Sequence, residues 1–97
     1  MENSHSLSLL FDKLDISAEN TSTEDQQFVI LSQYLEHLIQ TDFNRLLSIL
    51  YRIDVSEEKV RTALVDNKDQ SSGHVIAKLL IERENEKIKT RERYKNK

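Results

Sequence analysis

The chain has 97 residues, 14 basic and 17 acidic, for a net charge of −3. It contains no cysteine, no proline and one glycine, Gly73, which excludes disulfide frameworks, thiolate metal sites, cysteine nucleophiles and proline- or glycine-rich linkers. The length suits one small domain, and 37% apolar with 32% charged residues suits a charged helical domain better than a disordered chain.

Leu7, Leu10, Phe11 and Leu14 fall at i, i+3, i+4 and i+7, one stripe of a short helix. Ser6-Leu7-Ser8-Leu9 alternates, which is the strand period, so residues 1–23 read as an N-terminal arm, helical or extended, ending in the polar linker 17–23. The first main helix is predicted from Glu24 to Gln40, with Phe28, Leu31, Leu35 and Leu38 on one face. Ser22 or Thr23 can cap it, and Glu24 and Asp25 sit at the positive end of its dipole.

Thr41 or Asp42 caps a second helix, Asp42 to Ile53, with Phe43, Leu46, Leu47 and Leu50 forming its apolar face. A short helix follows from Glu57 to Asp66. Ser56 is its better N-cap, because Val55 and Val60 then occupy the two positions of a hydrophobic staple; Asp54 with Glu57 is the competing register. The last helix begins at Ser71 or Ser72 and runs from Gly73 to Tyr94. Its first half is apolar nearly all round: Ala77, Leu80, Ile81 and Ile88 share one side, with Val75 and Leu79 opposite. Such a helix needs neighbours on two sides. Either it is the centre of the fold, or a second copy covers Val75 and Leu79 in a homodimer. A core of this size is marginal on its own, which also favours association.

Motifs for chemistry are absent. His5, His37 and His74 lie far apart without H-E-x-x-H spacing, the single Glu-x-x-His (Glu2 to His5) lacks the second copy that a di-iron bundle site needs, and one glycine cannot build a phosphate-binding loop. No metal, cofactor or catalytic residue is expected, and the chain reads as a non-enzyme. Glu82, Glu84 and Glu86 among Arg83, Lys87 and Lys89 read as a solvated helix face with pairs such as Glu84–Lys87. Arg52, Asp54, Glu57 and Arg83 read as opposite charges clamping the second helix to the last.

Charge is distributed unevenly. Residues 87–97 hold six basic residues and one acid, net +5, whereas residues 1–86 hold eight basic and sixteen acidic, net −8. Cations at a helix C-terminus complement its dipole; the same residues can also contact phosphates, with Tyr94 stacking on a base.

The segments Leu50-Tyr51-Arg52-Ile53-Asp54-Val55-Ser56-Glu57 and Ile76-Ala77-Lys78-Leu79-Leu80-Ile81-Glu82-Arg83 resemble a set of short bacterial helical proteins. Those proteins share an LYR-x-DV-x-E turn and a late I-x-ER helix ending in basic residues. The likeness spans about residues 28–94 and implies a bacterial, cytoplasmic helical protein; it supplies no activity or ligand.

The expected fold is an all-α bundle of three main helices plus one short helix. Its divisions are the arm at 1–23, the helical domain at 24–94 and a frayed basic tail at 95–97. No run approaches the roughly 20 apolar residues of a membrane span, and no signal peptide is evident, so a cytoplasmic location is expected. The expected function is a protein-interaction module or accessory subunit, with Val75, Leu79, Arg52 and Arg83 as candidate contacts. The alternative is a nucleic-acid- or ribosome-associated accessory protein using Lys87, Lys89, Arg91, Arg93, Tyr94, Lys95 and Lys97.

Overall fold

Among the described residues five helices form: α1 (Ser4–Lys13), α2 (Glu24–Thr41), α3 (Phe43–Ile53), α4 (Glu57–Asp66) and α5 (Ser72–Lys95). The structure, a computed structural model, describes residues 4–16 and 23–95, with side chains over 5–16 and 23–92. Among the described residues there is no strand, and no helix is long and apolar enough to cross a membrane. The bundle is all-α as expected but has one helix more than the three-plus-one arrangement. The added helix is α1 in the N-terminal arm, where the 3.6-residue spacing prevails over the serine alternation. Leu7, Leu10, Phe11 and Leu14 are all buried. Ser6, buried with them, donates its hydroxyl to Asn85 Oδ1 on α5.

The helix ends follow from their capping residues. Thr23 and Gln26 form a reciprocal capping box at the start of α2, which supplies partners for two otherwise unpaired amides. Asp42 ends α2 and begins α3, accepting from Arg45 N through its side chain. Asp54, at φ 69°, closes α3 in the left-handed region, and Val55 N–H bonds back to Leu50 O at 2.9 Å. With Asp54 committed to α3, Ser56 caps α4 by accepting from Lys59 N, and Val55 and Val60 are both buried beside it.

α5 packs against each of the other four helices, most extensively against α2. This explains its two apolar sides. Val75 is 3% exposed within a single chain, and Leu79 is partly buried. No second copy is required to cover Val75, because the intrachain packing already does so. Gly73 marks the closest approach of α5 to α2. A Cβ there would meet Ser32 O and lie 2.9 Å from Glu36 Oε2 and 3.0 Å from Glu36 N. The Gly73 N–H donates to Glu36 Oε2 at 2.6 Å, giving a free amide at the start of α5 a charged acceptor from α2.

Candidate functional site

The apolar residues of α3 cover about 200° of arc at about 100° per residue, roughly twice the width that one core contact needs. The structure divides that arc. Leu46, Ile49, Leu50 and Ile53 are buried. Phe43, expected on the same face as Leu46 and Leu50, is 55% exposed, Leu47 is half-buried and Tyr51 is 83% exposed. Phe43, Leu47 and Tyr51 therefore form an outward stripe beside the core face. Asn44, Arg45, Ser48 and Arg52 take the remaining polar side.

α3 and α4 both pack on α5 and scarcely on each other. α4 contributes one buried side chain, Val60. Between the two helices lies a groove of about 220 Å³ lined by Ile39, Phe43, Leu46, Leu47, Leu50, Val60, Leu64 and Ile76, with Glu57, Arg61 and Ser72 as its polar residues. Glu57 and Arg61 pair along α4 at 3.6 Å. Leu47, Leu50 and Glu57 also line an adjoining, more polar cleft of about 600 Å³ with Tyr51, Asp54, Lys59, Arg83 and Glu86.

The charged residues singled out in the sequence are only partly brought together. Arg83 donates to Asp54 Oδ2 at 3.0 Å and lies 3.6 Å from Glu86, tying the end of α3 to α5. Its Nε is buried without a partner. Arg52 takes no part in that clamp. It donates Nη1–H to Lys13 O at 2.7 Å, binding α3 to the end of α1. Glu57 serves Arg61 instead.

The reading of Glu84 as solvated is overturned. α1 covers it, its side chain is 0% exposed, and its carboxylate pairs with Lys13 Nζ while Oε2 has no partner. Lys87, next to this pair, is held below its ordinary pKa by burial, partly offset by the attraction of Glu84.

Lys89 and Arg91 are exposed on the far part of α5. Arg93, Tyr94 and Lys95 continue its backbone; Lys97 lies outside the described residues. On the polar side of α3, Lys13, Arg45 and Arg52 line a separate cleft of about 370 Å³ that also contains Asp42, Asn44 and Ser48. Arg45 donates Nε–H to Tyr34 Oη at 3.2 Å, and this bond raises its pKa.

The groove residues Phe43, Leu47 and Leu64, and Tyr51 of the adjoining cleft, were not among the sequence candidates. For the three on α3, Phe43, Leu47 and Tyr51, the signal was the excess width of that helix's apolar arc. The chain matches no family model, no curated protein and no solved structure.

Proposed function

We propose that this chain is a small non-enzymatic protein-interaction module that docks an apolar helix in the α3–α4 groove. The observation that supports this reading is the position of Phe43, 55% exposed at the wall of a groove with eight apolar lining residues. Phe43 stands open beside half-buried Leu47 and Leu64, over a buried apolar floor and with Glu57 and Arg61 at the rim, the arrangement of a small groove that an apolar side chain can enter. An apolar helix face fits such a groove through anchors at i, i+3 or i+4 and i+7.

Affinity purification from native cells, with and without nuclease, tests this against Phe43→Asp. A nuclease-resistant protein partner held by the wild type and lost by the variant is expected. The alternative, phosphate contact by the basic end of α5, draws support from the net +5 of residues 87–97. It requires nuclease-sensitive RNA or ribosomes in the eluate, retained by Phe43→Asp and released as salt rises.

A further inference from the structure

We propose that the cleft between the end of α1 and the polar side of α3 binds a small phosphate-bearing molecule, held by Arg45 and Arg52. The two arginines are seven residues apart, so they lie on the same side of α3, about 10 Å apart along its axis. Ser48 is exposed between them. Their bonds differ from those of arginines elsewhere in the fold. Arg61 pairs with Glu57, and Arg83 with Asp54 and Glu86. Arg45 and Arg52 instead donate to uncharged oxygens, Tyr34 Oη and Lys13 O. Neither forms an ion pair among the described residues. Each guanidinium is thus anchored by one donor, while its charge is uncompensated and its other N–H groups are open to a ligand.

The surroundings of the pair support the same ligand class. The cleft, about 370 Å³, includes buried Leu14 and Ile49 in its lining, and an apolar wall beside cations strengthens their pull on an anion. Lys13 also lines it but is committed to Glu84. The acid in the lining, Asp42, is engaged in capping α3, accepting from Arg45 N–H at 3.2 Å. Asp42 and, more weakly, Asp15 also attract the Arg45 side chain, so a ligand must carry more than one negative charge to compete with them. Phosphate meets that requirement. Its tetrahedral oxygens accept forked N–H groups from two directions, whereas a carboxylate presents two oxygens in one plane.

Titration of the full chain with pyrophosphate at fixed ionic strength, followed by NMR of the side-chain N–H signals, tests the site. Saturable shifts of the Arg45 and Arg52 Nε–H signals are expected, and succinate should bind about tenfold more weakly. Arg45→Gln and Arg52→Gln should each weaken pyrophosphate binding about tenfold. Because Arg52→Gln also releases the end of α1, Ser48→Glu serves as a second variant. It leaves both arginine bonds in place, sets a negative charge between them, and should abolish binding with unchanged helical circular dichroism. Lys78→Gln, which removes an exposed cation of α5, should bind as the wild type does. A wild type without saturable shifts overturns the site. So does undiminished binding by Ser48→Glu, and so do shifts centred on Lys89 and Arg91. Succinate that binds as tightly as pyrophosphate refutes the phosphate class, and single-stranded RNA that moves the arginine signals where pyrophosphate does not refutes the small ligand. Arg45, Ser48 and Arg52 do not line the α3–α4 groove, so the docking reading stands or falls separately.

Discussion

Replacing Gly73 by alanine puts two opposed effects against each other. In an ordinary helix the change stabilises by about 0.5–1 kcal/mol, because glycine loses more backbone entropy on folding. Here the new methyl would press on Ser32 O and sit 3.0 Å from Glu36 N, the acceptor and donor that one i→i+4 hydrogen bond of α2 would join. Neither can swing aside as a side-chain tip would. Overpacking of this kind costs about 1–3 kcal/mol. Moving α5 away also stretches the 2.6 Å bond from Gly73 N–H to Glu36, a charge-assisted contact in a class that contributes about 1.5–3 kcal/mol. The expected net effect is a destabilisation of about 2 kcal/mol, which for a chain of this size lowers Tm on the order of 10 °C. Thermal unfolding followed by far-UV circular dichroism measures it. Repeating the substitution in a Glu36→Ala background isolates the backbone contact, and the penalty should persist there. A Gly73→Ala protein that melts at or above the wild type refutes the close approach of α2 and α5.

Lys13→Met strands the Glu84 carboxylate, fully buried, without its counter-charge. Breaking a buried pair costs about 3–5 kcal/mol, and the lower end applies because Lys13 is 31% exposed. The double variant Lys13→Met/Glu84→Met should regain most of the loss in urea unfolding; a single variant as stable as the wild type would show that the pair is dispensable. Burial lowers the Lys87 pKa in the folded state, so the unfolded chain binds more protons between that lowered value and the ordinary one near 10.4. Stability should therefore rise with pH across that window. Lys87→Met should raise stability at neutral pH and remove this alkaline rise, measured as urea midpoints; an unchanged pH slope argues against the burial of the ammonium group.

Where local chemistry decides the outcome, the sequence is informative. Thr23, Asp42 and Ser56 each stand where a capping side chain was expected, and each accepts a bond from the first turn of its helix. Leu31, Leu35 and Leu38, three of the four residues read as one face of α2, are buried. Relations between helices are less legible. Glu84 looks like any acid in a charged run until α1 is laid over it. The same covering turns Ser6 and Ser8 from an apparent strand alternation into two faces of a helix, one buried and one exposed. Val75 seemed to need a partner because periodicity cannot count how many neighbours one chain supplies. The groove is the extreme case. It exists because α3 and α4 both pack on α5 and scarcely on each other, and no spacing within either helix encodes that relation.

Asp42 joins α2 to α3 without a spacer, ending one helix and starting the next. This fixes the rotational phase between them. Adding or deleting one residue at the joint would turn α3 by about 100° relative to α2. In one sense that turn drives Arg45 and Arg52 toward the core; in the other it buries the Phe43–Leu47–Tyr51 stripe and turns the core face outward. Point substitutions of the stripe change only what the surface presents, because Phe43 and Tyr51 are already open. A change of length at Asp42 would instead alter the fold and the docking face together. Drift of this chain should thus proceed by residue replacement on the stripe and be closed to insertion at the joint.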